Sequence, residues 1–130
     1  MEALNDRVKS VKGSRILLMG LAYKEDVDDM RESPAFGLMD QLAELGAEIS
    51  YYDPHIPEIL PTRDHARWTG TRSVTWHPET IAAFDCIVIA TNHRAFDLEG
   101  LLEYADLVID TRNAIAGAGL TPGKGQVVKA

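Results

Sequence analysis

Residues 15–34, RILLMGLAYKEDVDDMRESP, decide the predicted fold. The run Arg15–Met19 is short, largely apolar and followed by Gly20, which is typical of a strand buried on both faces. Ser33-Pro34 is typical of a helix start, since Ser caps free N–H groups and Pro fits the first turn. Between them lie twelve residues, 21–32, whereas a strand-to-helix connection usually needs about 2–6. A charged loop of this length is expected to hold a ligand.

The rest of the chain alternates strand and helix patterns. A helix is predicted from Pro34 to about Leu45, because Ala35, Leu38 and Leu42 recur on one face. Further strands are predicted at 48–52, 73–76, 85–91, 106–111 and 126–129, and further helices at 78–83 and 96–104. This order predicts an α/β fold, a Rossmann-like three-layer sandwich with a mostly parallel sheet of five to six strands and helices on both faces.

Composition limits the classes of function. The 130 residues suit one domain, and the net charge of −7 argues against a nucleic-acid surface. No apolar run approaches the roughly 20 residues of a membrane span. The single cysteine, Cys86, lies in the apolar run CIVIA and forms no disulfide framework, which favours a cytoplasmic location. Residues 1–12 carry a weak helical pattern.

The topology predicts where a ligand would bind. Ligands of parallel sheets bind beyond the carboxyl ends of the strands, where the loop after Gly20, Thr91-Asn92-His93 and Thr111-Arg112-Asn113 should meet. In the long loop, Lys24 and Arg31 are candidates for binding an anion. Their acidic neighbours leave a second interpretation open, a solvated loop held by its own ion pairs.

Two residues at the strand ends have a plain structural interpretation as well. The dinucleotide fingerprint G-x-G-x-x-G is absent after the first strand, where the sequence is G-L-A-Y-K-E. Without those glycines, Asp53 at the end of the second strand is interpreted as a turn residue. Arg112 could be a surface residue paired to Asp110.

One family resemblance covers nearly the whole chain. GLAYKEDVDDMRESPA resembles the signature that opens the C-terminal domain of the UDP-glucose/GDP-mannose dehydrogenase family, and is most similar to UDP-N-acetylglucosamine 6-dehydrogenases. The resemblance continues through Tyr52-Asp53-Pro54, Thr91-Asn92-His93, Ala95-Phe96-Asp97 and Asp110-Thr111-Arg112-Asn113. It implies that residues 13–130 are a UDP-sugar-binding C-terminal domain and that 1–12 are the remnant of an interdomain connecting helix.

The resemblance also implies roles for individual residues. Tyr23, Lys24 and Arg112 match residues that contact the nucleotide-sugar, and Arg31 matches an Arg that reaches the cofactor pyrophosphate. Enzymes of this family oxidise C6 of the sugar to a carboxylate, with two hydride transfers to NAD and a covalent intermediate on a Cys. That Cys and the main NAD site belong to other domains, so the resemblance implies no catalytic residue in this chain and no activity for it alone.

Three more residues are expected to shape the site. His93 lies at the end of the fourth predicted strand, and Asn113 fits the family's D-T-R-N form. Asn92 stands where the family usually has Asp, which puts in doubt any interaction that needs a charge there.

The resemblance implies further properties of the parent enzyme. The sugar would be UDP-N-acetylglucosamine or UDP-N-acetylmannosamine, used for surface polysaccharide precursors. The partners would be a UDP-sugar and the N-terminal NAD-binding and central domains of an enzyme expected to be a homo-oligomer, with neither nucleic acid nor membrane. The alternative is a free-standing nucleotide-binding or regulatory module without catalysis.

The acidic run Asp26-x-Asp28-Asp29 could suggest magnesium. It lies well past the strand end, with no second acidic cluster near it in the predicted topology. We therefore expect no metal.

Overall fold

A computed structural model of the protein describes residues 13–22, 33–61, 66–123 and 125–129. A parallel five-stranded sheet forms its centre, in the order β2-β1-β3-β4-β5. The strands are β1 (Arg15–Met19), β2 (Glu48–Tyr52), β3 (Cys86–Ile89), β4 (Val108–Asp110) and β5 (Val127–Lys129). The helices are α1 (Pro34–Glu44), α2 (Pro78–Ala82), α3 (Leu98–Tyr104) and α4 (Ala114–Gly117), with a 3₁₀ turn at Ala66–Trp68.

Strand β1 separates two apolar layers, because its successive side chains point to opposite faces of the sheet. Ile16 and Leu18 pack into one layer, together with buried side chains of α1 such as Phe36. Leu17 and Met19 pack into the other layer, which contains buried residues of α2, α3 and α4. The predicted Rossmann-like three-layer α/β sandwich is confirmed.

The start of α1 is as the sequence predicts. The Ser33 side chain accepts a hydrogen bond from the Ala35 N–H at 3.2 Å, and Pro34 occupies the first turn. The helix ends before Gly46, which adopts a positive φ of 94°. At this end, the N–H groups of Leu45 and Gly46 donate to the carbonyls of Gln41 and Ala43 in the last helical turn.

One predicted strand is absent from the described residues. The segment 73–76 is assigned to no strand, and its described backbone N–H groups bond to two separate partners. Ser73 donates to the Pro57 carbonyl and Val74 to the Tyr51 carbonyl. Single bonds to different segments do not make a ladder, so the sheet has five strands and not six.

Two helices differ from the prediction. α3 begins at Leu98 and not at residue 96, because the Asp97 side chain caps it by accepting the Gly100 N–H at 3.0 Å. The short helix α4 is not among the helices that the sequence predicts. The predicted helical remnant at 1–12 lies outside the described residues.

Candidate functional site

The ends of β1, β3 and β4 meet at one edge of the sheet, as the topology predicts. The Thr91 N–H donates to the Met19 carbonyl at 3.3 Å, and the Thr91 hydroxyl donates to the Ala22 carbonyl at 2.9 Å. On the other side, the Thr111 hydroxyl donates to the Ile89 carbonyl. The strand order also reverses between β1 and β3, which is where ligands of such sheets bind.

Gly20 permits this close approach. Its φ is +90°, and a Cβ added to it would lie 2.4 Å from the Thr91 carbonyl oxygen. No other residue fits here, since both the backbone conformation and the contact demand the absence of a side chain. The end of β1 and the segment after β3 therefore touch directly through their backbones.

Asp53 holds the start of the long loop, which is more than the turn role predicted for it. Its Oδ1 does close a turn, by accepting the His55 N–H at 2.8 Å. Its Oδ2 accepts the Leu21 N–H at 2.8 Å and the Ala22 N–H at 3.1 Å. The Nε2 of His93 lies 2.9 Å from the same Oδ2.

The hydrogen bonds of Asp53 determine its charge. The residue is 1% exposed, and burial alone raises the pKa of its carboxyl group. Hydrogen bonds from His93 and from the Leu21 and His55 N–H groups outweigh burial and lower that pKa below its ordinary value. Asp53 is therefore a carboxylate at neutral pH, and His93 donates to it through Nε2.

His93 is buried behind the edge of the sheet. It is 1% exposed, and its ring makes edge contacts with the rings of His55, at 4.6 Å between centroids, and Phe96, at 5.3 Å. This placement agrees with the predicted site-shaping role, although that role itself stays a prediction.

Arg112 lies exposed at the end of β4, with a fixed side chain. Its Nε donates to the Ala90 carbonyl at 2.9 Å, which leaves the two terminal nitrogen atoms of the guanidinium group for a ligand. Among the described ion pairs none involves Arg112. The interpretation of Arg112 as a surface partner of the Asp110 side chain is therefore not supported.

Asp110 instead binds the backbone at the start of α4. Its carboxylate accepts the N–H groups of Arg112, Ala114 and Ile115, each at 3.0 Å. Asn113 lies inside this turn with a positive φ of 55°, a conformation that Asn adopts more readily than most residues. The Asp110 carboxylate thus fixes the backbone on both sides of Asn113.

Two depressions flank Arg112 and Asn113. One, of about 620 Å³, lies between α3 and α4. Its polar lining includes Asn92, His93, Arg94, Asp97, Glu99, Arg112 and Asn113. The other, of about 630 Å³, is lined by Asp110, Thr111, Arg112, Asn113 and Lys129.

The structure therefore brings four predicted site residues to one edge: Asn92, His93, Arg112 and Asn113. Tyr23, Lys24 and Arg31 lie outside the described residues, as does the acidic run 26–29. Sequence reasoning missed the part that Asp53 and Thr91 play. The available signal was their position, since each follows a strand within one or two residues.

A comparison with protein families assigns the chain to a class. The sequence model of the UDP-glucose/GDP-mannose dehydrogenase family, UDP binding domain, matches residues 17–117. Because the match spans most of the 130 residues, the chain belongs to the UDP-glucose/GDP-mannose dehydrogenase family. Within that family it corresponds to the UDP-binding domain.

Two curated relatives represent two substrate branches. The chain is 34% identical over 121 residues to a UDP-glucose 6-dehydrogenase of Bacillus subtilis, covering 86% of this chain and 26% of the relative. It is 35% identical over 89 residues to a UDP-N-acetyl-D-mannosamine dehydrogenase of Methanococcus maripaludis, covering 66% of this chain and 18% of the relative. The two identities do not separate the branches.

A solved structure shows the same fold. The UDP-D-ManNAc dehydrogenase of Pyrococcus horikoshii superposes with a TM-score of 0.74 at 25% identity, covering 98% of this chain and 28% of that chain. The present chain thus spans about a quarter of the length of such dehydrogenases. In the part of the chain that the structure describes, no helix is long and apolar enough to cross a membrane.

Proposed function

We propose that this chain is the UDP-sugar-binding part of an NAD-dependent UDP-sugar 6-dehydrogenase. The observation that carries the proposal is Arg112, whose guanidinium group is fixed by the Ala90 carbonyl at the edge of the sheet with its terminal nitrogens available. A planar guanidinium group suits the paired oxygens of a diphosphate. Tyr23 and Lys24 are the other proposed substrate contacts, and Asn92, His93 and Asn113 shape the site.

The residues at the end of β1 do not fit the usual NAD cradle. In a dinucleotide-binding domain, a glycine-rich turn offers backbone N–H groups to the pyrophosphate. Here the Leu21 and Ala22 N–H groups already bind the Asp53 carboxylate, whose negative charge would repel a phosphate. NAD is therefore assigned mainly to the N-terminal domain of the parent enzyme, with Arg31 of this chain reaching its pyrophosphate.

The contribution of this domain to the reaction is positional. The parent would oxidise the C6 alcohol to a carboxylate on a nucleophile supplied by another domain. Holding the diphosphate and uridine at the sheet edge keeps C6 near that nucleophile, which removes much of the entropic barrier. The partners of the chain are then the N-terminal NAD-binding and central domains, in a cytoplasmic homo-oligomer.

For the sugar, we propose the N-acetylhexosamine branch, UDP-N-acetylglucosamine or UDP-N-acetylmannosamine, for surface polysaccharide precursors. The motif YKEDVDDMRESPA with TNHRAFD supports this branch. The sugar must point toward the nucleophile on another domain, so this domain should contribute little to the choice of sugar.

Calorimetric titration of the chain tests the proposal. UDP, UDP-N-acetylglucosamine and UDP-glucose should all bind weakly, with dissociation constants within about tenfold of one another, or 1.4 kcal/mol. Absence of binding by UDP would overturn the proposed function. A larger separation of the two sugars would show that the sugar is recognised in this domain.

A further inference from the structure

The segment after β3, residues 90–93, contacts both halves of the candidate site. On one side, the Ala90 carbonyl accepts the Arg112 Nε. On the other side, the Thr91 hydroxyl donates to the Ala22 carbonyl, and His93 donates to the Asp53 carboxylate that holds the Leu21 and Ala22 N–H groups. One segment of backbone thus connects Arg112 with the residues that directly precede Tyr23 and Lys24.

Three backbone polar groups of Leu21 and Ala22 have buried side-chain partners. Asp53 accepts both N–H groups, and Thr91 supplies a donor to the Ala22 carbonyl. Asp53, Thr91 and His93 are 1%, 3% and 1% exposed, so water does not compete for these bonds. Hydrogen bonds to a buried carboxylate are among the stronger ones in proteins.

We propose that Asp53, Thr91 and His93 form a positioning unit that sets the affinity of the site for a nucleoside diphosphate. The proposal rests on the proposed function, since it concerns the same site. None of the three residues need touch the ligand. They hold residues 90–93 against the end of β1, and the Ala90 carbonyl of this segment binds Arg112. The ligand then meets an Arg112 guanidinium group that is already in place.

Matched substitutions separate this role from packing. His93→Phe keeps a ring against His55 and Phe96 but removes the donor to Asp53, whereas His93→Gln offers an amide N–H of similar reach. Thr91→Val removes the hydroxyl with little change in shape, whereas Thr91→Ser keeps it. Ile81→Val serves as the stability control, because it trims a buried core side chain of α2, a helix that precedes β3.

The experiment measures UDP dissociation constants by calorimetry for the chain and these five variants, with circular dichroism to confirm folding. We expect His93→Phe and Thr91→Val to weaken binding about tenfold. His93→Gln and Thr91→Ser should restore it to within about threefold of the native value. Ile81→Val should lower the melting temperature and leave the dissociation constant unchanged.

Two results would overturn the inference. Equal dissociation constants for folded His93→Phe, Thr91→Val and native chain would exclude a positioning role while leaving the proposed function intact. If the native chain does not bind UDP, both the inference and the proposed function are wrong. If a variant fails to fold, the other donor-removing variant and its conservative partner still decide the question.

Discussion

At the scale of single residues, the site depends on which polar groups are already occupied. The Asp53 carboxylate accepts hydrogen bonds from backbone N–H groups and from His93. The Asp110 carboxylate accepts hydrogen bonds from backbone N–H groups of α4. Arg112 uses one nitrogen on the Ala90 carbonyl and keeps two others. The Asp53 and Asp110 carboxylates are thus internally satisfied, while the Arg112 guanidinium group keeps two nitrogen atoms for a ligand.

Arg112→Lys should weaken UDP binding although it keeps the positive charge. Lysine cannot bind the Ala90 carbonyl and a diphosphate at the same time in a planar fork. We expect a loss of about 1.5–3 kcal/mol, the range for hydrogen bonds to charged groups, measured by calorimetry. Arg72→Lys is the control, since Arg72 pairs with Glu58 on an exposed surface elsewhere. If Arg112→Lys binds UDP as tightly as the native chain, Arg112 does not contact the diphosphate and has a structural role.

Asp53→Asn should change how the free energy of unfolding depends on pH. The pKa of Asp53 is lowered in the folded state, so the carboxylate contributes stability that is present above its unfolded pKa of about 4. That contribution is lost as the pH falls through the lower folded pKa. Urea unfolding is measured from pH 7 to pH 2. Asp53→Asn should have a lower free energy of unfolding than the native chain, and this free energy should fall less steeply below pH 5. Parallel curves would mean that Asp53 is not stabilised as a carboxylate.

At the scale of elements, the meeting of β1 with the segment after β3 requires glycine at one position. Gly20 and Gly70 have nearly the same φ, +90° and +87°, but only Gly20 faces a neighbouring backbone, at 2.4 Å from its added Cβ. The two glycines therefore separate the effect of the positive φ from the effect of the contact.

Gly70→Ala should cost about 1–2 kcal/mol from its left-handed backbone alone. Gly20→Ala should cost about 1–3 kcal/mol more, the range for forcing extra atoms into a packed region. Urea denaturation of both variants measures the difference. Equal losses would show that the segment after β3 moves away from Gly20 at little cost.

Strongly patterned elements were predictable from the sequence. Arg15–Met19 and the α1 stripe follow from apolar periodicity and a Ser-Pro start, which act locally. The segment 73–76 looked like a strand, but its hydrogen bonds go to separate partners, which depends on tertiary contacts. The short α4 depends on the Asp110 carboxylate binding its first N–H groups, a contact that residue propensity does not show.

The site was predictable in position more than in detail. Topology placed Arg112, Asn92 and Asn113 at the carboxyl edge, since all strands of a parallel sheet end there. The position of Asp53 after β2 was visible in the sequence, but its hydrogen-bond partners were not, because Leu21 and His93 are 32 and 40 residues away in the chain.

At the scale of the whole molecule, the chain spans about a quarter of its dehydrogenase relatives. We predict that it has no dehydrogenase activity alone, since the proposed function assigns the nucleophile and the main NAD site to other domains. Incubation with NAD and UDP-N-acetylglucosamine should produce no NADH absorbance at 340 nm. Turnover that survives repurification would contradict the assignment.

The most direct test of the central claim is an NMR titration of the ¹⁵N-labelled chain with UDP. Binding at the carboxyl edge of the sheet should shift the amide signals of Asn92, Arg112 and Asn113, together with those of Tyr23 and Lys24. The segment 54–72 provides an internal comparison and should change little. Shifts confined to 54–72, or no shifts at millimolar UDP, would contradict the account.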